Sequence, residues 1–147
     1  VPRRIVAFVM PTGYSFNLDG TTLYLALASV FCFQAAGVDL SISNQILMMF
    51  MLMLTSKGVA AVPRAGLVIL SGTLISFGGY LKGERLIDDH QLTLALAAVT
   101  TILGVDALMD MARTSINLVG NCLATCVMAR WEGEFDDQAA SGATKTP

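Results

Sequence analysis

Polar residues are sparse along this chain, and their placement sets its elements. Between Ile5 and Val38 the only charged residue is Asp19, inside the stretch NLDGT at 17–21. Pro11 and Gly13 precede it. Proline and glycine are poor helix-interior residues, and Asn and Asp compete for backbone hydrogen bonds at caps. The pattern predicts two half-helices, Pro2 to Phe16 and Thr21 to Ala36, which together make a broken helix over 1–37. A turn at Gly37 to Ser43 follows, with Ser43 placed to cap the next helix. Asn44 to Leu54 reads as a short helix rich in Met and Leu. The stretch TSKGVAAVPRAG at 55–66 then breaks the pattern, and Pro63 suits the first turn of a second helix, about Arg64 to Gly78. At 1.5 Å per residue, an arm of ~11 residues covers about half of a bilayer's hydrocarbon core. The pair, 43–80, is therefore expected to be a re-entrant hairpin, with Gly58, Gly66, Gly78 and Gly79 as places to bend. GGYLKGERLIDDHQ is a polar loop. Helix resumes over 91–131, with a break expected near Gly104. The small, polar tail 135–147 is expected to be disordered.

Composition supports a membrane setting. Of the 147 residues, 54% are hydrophobic and only 14% charged, well short of the quarter or so usual in soluble domains. Uncharged runs recur at 20–38, 41–56, 65–81 and 114–129. A soluble all-α protein with buried helices is the rival reading. A net charge of −2 without a basic patch argues against nucleic acid. Cys32, Cys122 and Cys126 lie in apolar helical sequence and behave as small hydrophobes. His90 sits among Asp88 and Asp89 in a solvated loop. The chain opens on Val with no signal-peptide pattern and reads as a piece of a longer chain. Arg3, Arg4 and Arg130 place both ends on the cytoplasmic side of the cell (inner or plasma) membrane. Two full crossings with the hairpin dipping in from outside satisfy that count.

The densest chemistry lies in GVDALMDMARTSINLVGN, 104–121. At about 100° per residue, Asp106, Asp110, Arg113, Asn117 and Asn121 share an arc of roughly 80°. Each Asp or Arg at membrane depth costs about 2.5–3.5 kcal/mol on insertion scales, so the stripe must face protein or a wet cavity. It reads either as a structural network, Asp110 pairing with Arg113, or as a binding site. Asp19, Asp106 and Asp110 against one Arg leave negative charge for a cation or an ammonium group. NLDGT is either a glycine kink with capping residues or a source of oxygen ligands for a hard cation such as sodium. Arg113 offers a fork matched to a carboxylate. The expected ligand bears both a carboxylate and an amine, next to an ion.

NLDGT, the SKGVAAVP tip and the D-x3-D-x2-RT-x2-N-x3-N helix, in that order, resemble the dicarboxylate/amino acid:cation symporters, the family of glutamate and aspartate transporters. The match covers about Arg3 to Glu134 and corresponds to the C-terminal third of such a protein. The resemblance implies an all-α membrane fold: a broken transmembrane helix, a re-entrant hairpin acting as an extracellular gate, and a second, partly broken transmembrane helix. Residues 1–134 would be the C-terminal part of the transport domain. It implies substrate contacts at Thr21, Ala61, Val62, Asp106, Asp110, Arg113, Thr114 and Asn117. Asp110 would take the amino group, Arg113 the side-chain carboxylate, and Asp106 would support Arg113. Cation sites would use Gly13, Ser15, Asn17, Asp19, Ser56, Lys57, Val59, Asn117 and Asn121. Sodium-coupled members carry Asp where this chain has Asn121, and a neutral residue is common there at the position of Lys57. Both departures make proton coupling as plausible as sodium coupling.

The expectation is secondary symport of glutamate, aspartate or a related dicarboxylate with a proton or sodium, and no other cofactor. The implied partners are the bilayer, the rest of the transporter chain and, for the full-length protein, a homotrimer. A C4-dicarboxylate symporter and a non-transporting membrane fragment or scaffold are the alternatives. No enzyme reading emerges, because there is no Ser/Cys–His pair, metal motif or phosphate loop.

Overall fold

The structure, a computed structural model, describes residues 1–56 and 65–142. These form α1 (Arg3–Phe16), α2 (Asp19–Ala35), α3 (Ile42–Ser56), α4 (Ala65–Gly83), α5 (Asp89–Leu103), α6 (Asp106–Trp131) and α7 (Asp137–Ala140). No strand occurs among the described residues.

The break at NLDGT is confined to two residues. Asn17 closes α1, its N–H donating to the Gly13 carbonyl at 2.8 Å, and Leu18 opens α2. Pro11 does not end α1, which runs through it to Phe16. Residues 3–35 thus form one interrupted apolar span of 33 residues. At 1.5 Å per residue that is about 50 Å, ample for a hydrocarbon core of about 30 Å. The cap of α3 is Ser41, whose Oγ accepts from Asn44 N at 3.3 Å. The sequence had pointed to Ser43, but the helix starts earlier and leaves Ser43 inside its first turn.

The helix α4 is longer than its sequence suggests. It has 19 residues, apolar enough to cross a membrane alone, and continues through Gly78 and Gly79 to Gly83. Gly78 is buried, and a Cβ there would collide with Leu92 of α5. This glycine permits close packing of α4 on α5. Gly66 likewise lies inside α4, against Arg113. Gly58 falls outside the described residues. The cap of α5 is a reciprocal box: Asp88 Oδ1 accepts from Gln91 N at 2.7 Å and Gln91 Oε1 accepts from Asp88 N at 3.1 Å. The expected break near Gly104 is present, and α5 and α6 meet there at 79°.

The helix α2 is the hub. It packs on α3, α4, α5 and α6, while α1 packs on α6. Leu25, Cys32 and Phe33 of α2 meet Met48 and Leu52 of α3, Leu70, Leu74 and Phe77 of α4, and Ala95 of α5 in one buried cluster. Phe33 and Phe77 meet edge to face, with centroids 5.9 Å apart. Arg4 pairs with Glu134, so the start of α1 and the end of α6 share one end of the fold. The tail expected to lack structure instead forms α7 over part of its length. Asp136 Oδ1 caps it by accepting from Ala139 N at 3.0 Å, and Arg130 pairs with Asp137.

Candidate functional site

The site lies where the α1–α2 break crosses α6. The polar stripe faces inward: Asp106, Arg113 and Asn121 are buried, and Asn117 and Asp110 are half-buried. The crossing is close because it is lined with glycine. A Cβ on Gly20 would lie 2.7 Å from the Arg113 carbonyl oxygen. One on Gly120 would strike Asp19 Oδ2 and sit 3.2 Å from Asn17 Nδ2, and one on Gly13 would strike Asn121.

Two polar clusters result. In the first, Asn17 Nδ2 donates to Asn121 Oδ1 at 3.0 Å, with Gly13 and Asp19 alongside. Thr125 Oγ1 donates to the Asn121 carbonyl at 2.7 Å and steadies this turn. The side-chain oxygens placed here are Asp19 Oδ2 and Asn121 Oδ1, and the latter already accepts from Asn17. Carboxylate and amide oxygens are hard donors. Among the described residues no group of three His, Cys, Asp or Glu is placed to hold a metal. A small cavity of about 120 Å³ opens beside it, lined by Tyr14, Leu18, Thr114, Asn117, Leu118 and Asn121.

In the second cluster, Arg113 Nη2 donates to Asp110 Oδ1 at 2.6 Å and lies 3.5 Å from Asp106 Oδ1. Tyr24 OH donates to the same Asp106 oxygen at 3.1 Å. The Arg113 guanidinium lies over the Tyr24 ring, 4.1 Å from its centroid. Asp106 Oδ2 and Arg113 Nη1 are buried without a hydrogen-bond partner among the described residues. Two carboxylates face one guanidinium, and the exposed part of Asp110 (37%) opens outward.

Asn117 joins the clusters by capping α2. Its Oδ1 accepts from Gly20 N at 2.8 Å and Thr21 N at 3.4 Å, and its Nδ2 donates to Thr21 Oγ1 at 3.0 Å. These N–H groups belong to the first turn of α2, which has no partner of its own there. Asn117 and Thr21, expected to touch substrate, here hold each other. Ser56 is buried at the end of α3, with its Oγ donating to Met53 O at 3.2 Å within its own helix. Ser15 is exposed on α1, and Thr114 is exposed on α6 at the cavity wall. Lys57, Val59, Ala61 and Val62 lie outside the described residues.

Sequence reasoning missed Tyr24 and the packing roles of Gly20, Gly66 and Gly120. A lone tyrosine one turn beyond Thr21 was the available signal for the first, since residues three or four apart share a helix face.

The profile of the sodium:dicarboxylate symporter family matches residues 1–131. The chain is 47% identical over 139 residues to the proton/glutamate-aspartate symporter of Escherichia coli (strain K12), covering 95% of this chain and 28% of that protein. It is 44% identical over 137 residues to the proton/sodium-glutamate symport protein of Bacillus caldotenax, covering 93% and 29%. The C4-dicarboxylate transport protein of Brucella anthropi is 42% identical over 146 residues, covering 99% and 30%. The chain thus spans less than a third of the length of these curated relatives. No solved structure matches it. The matched stretch takes in both polar clusters and the glycine-lined crossing that builds them, and the chain belongs to the sodium:dicarboxylate symporter family.

Proposed function

We propose that this chain forms the C-terminal third of a symporter that carries glutamate or aspartate together with a proton or sodium. The observation that carries the reading is Arg113. It is buried, ringed by Asp106, Asp110 and Tyr24, and leaves Nη1 without a partner among the described residues. A guanidinium desolvated in this way is a ready partner for an incoming carboxylate. The half-exposed Asp110 can turn to an amine once a carboxylate takes its place on Arg113. Asn17, Asp19, Asn121 and the Gly13 and Ser15 carbonyls supply the cation side. Ser56, Lys57 and Val59 of the hairpin close a second cation site, and Ala61 and Val62 line the substrate. Thr114 and Asn117 complete the substrate contacts, and Asn117 exchanges its bonds to α2 for the ligand.

The whole protein works as a multi-pass homotrimer in the cell membrane, with both ends of this segment cytoplasmic, and it is a carrier rather than an enzyme. The contact between Arg4 and Glu134 supports that common side. A C4-dicarboxylate is the second reading. C4-dicarboxylate transport proteins match this chain at similar identity, and Asp110 is already engaged by Arg113, so no amine is required.

The test is uptake of labelled aspartate, glutamate and succinate by the full-length protein in liposomes, with wild-type and Arg113→Ala forms compared. Truncating one partner of a buried charge pair costs about 2–5 kcal/mol, so acidic uptake should fall at least about 30-fold. Undiminished aspartate uptake by Arg113→Ala would sink the proposal. Uptake of succinate alone by the wild type would select the second reading.

A further inference from the structure

We propose that Gly66, in the first turn of α4, is a positioning residue that sets where the Arg113 guanidinium sits, and through it the preference for substrate length. The specificity half of this inference rests on the proposed function. A Cβ on Gly66 would occupy the space of Arg113 Nη1 and lie 3.5 Å from Tyr24 Cε1. Gly66 therefore touches both members of the Tyr24–Arg113 stack, and its bare Cα lets the hairpin arm close on them.

The far end of an arginine ordinarily yields cheaply to a new methyl group. This one does not. The residue is 5% exposed, and its guanidinium is held by Asp110 at 2.6 Å, by Asp106 at 3.5 Å and by the Tyr24 ring at 4.1 Å. Displacing Nη1 strains all three contacts together. Among the described residues the same nitrogen lacks a partner, so it is the one placed to meet a ligand. A side chain at Gly66 would move the group that fixes a substrate carboxylate. Gly72 lies on the same helix with nothing within 4 Å of an added Cβ. It reports what Gly→Ala does to α4 by helix propensity alone.

Gly66→Ala and Gly72→Ala are made in the full-length protein, each with Arg113 and with Arg113→Ala, and thermal unfolding is followed in detergent. Gly72→Ala should raise Tm slightly in both backgrounds. Gly66→Ala should lower Tm when Arg113 is present and raise it when Arg113 is absent, because the methyl group then fills vacated space. The same effect in both backgrounds overturns the inference, whatever the protein transports. In uptake assays, the ratio of KM for glutamate to KM for aspartate should shift about tenfold in Gly66→Ala with kcat little changed. That is below the ~100-fold that a 1 Å misplacement can cost. The ratio should not move in Gly72→Ala. An unmoved ratio in Gly66→Ala, with both amino acids transported, overturns the specificity half. Absence of uptake of either amino acid by the wild type overturns the proposed function and, with it, the specificity half. The Tm cycle then still decides whether Gly66 positions Arg113.

Discussion

Tyr24→Phe isolates one bond in the buried cluster. The substitution removes the hydroxyl that donates to Asp106 Oδ1 at 3.1 Å, yet keeps the ring that lies 4.1 Å from the Arg113 guanidinium. Among the described residues Asp106 is then left with Arg113 Nη2 at 3.5 Å, beyond good hydrogen-bonding distance, and its Oδ2 is already unpartnered. A hydrogen bond to a charged group contributes about 1.5–3 kcal/mol, and a buried carboxylate cannot recover it from water. The folded population should therefore fall by a factor of about 10–150 relative to unfolded. The assay is equilibrium unfolding of the full-length protein in detergent, with Tyr14→Phe on the exposed face of α1 as the control. The cycle is completed in an Asp106→Ala background, where removing the hydroxyl should cost under about 0.5 kcal/mol, since it has lost its acceptor. A Tyr24→Phe protein as stable as the control would refute the reasoning. So would a loss that persists without Asp106, because the hydroxyl would then act through some other group.

Two further outcomes follow from the helix crossing. Asn121→Asp adds a formal charge beside Asn17 and Asp19, so the full-length protein should gain sodium dependence, with half-saturating sodium falling about tenfold or more; uptake kinetics over a sodium series at fixed pH read this, and an unchanged sodium response counts against a cation at that cluster. Gly20→Ala sets a methyl 2.7 Å from the Arg113 carbonyl oxygen and 3.0 Å from its Cα, backbone atoms that cannot swing aside, so it should destabilise the protein by about 1–3 kcal/mol in thermal unfolding, whereas Gly72→Ala should not.

Much of this site could be read from one helix. The inward face of α6 follows from 3.6-residue periodicity: Asp106, Asp110, Arg113, Asn117 and Asn121 share an arc because helix geometry is local. The interruption at Asn17 and Leu18 was equally legible, since Asn, Asp and Gly compete with helix wherever they occur. The break near Gly104 was visible, but its 79° bend was not, because an angle depends on what each arm packs against. The end of α4 was misplaced because glycine codes for two things. Gly78 weakens an isolated helix, yet against Leu92 it permits packing that holds the helix intact.

The sequence by itself determined that these helices are apolar, where they break, and which face of α6 carries charge, all properties set within a few residues. Only the tertiary structure decided who meets whom. Tyr24 reaches Asp106 across 82 residues of chain and Asn117 caps Gly20 across 97. Gly66 of α4 comes against Arg113 of α6. Such pairings depend on the rotation and separation of packed helices, which are fixed by the fit of many side chains at once and leave no local pattern in the residues that finally touch.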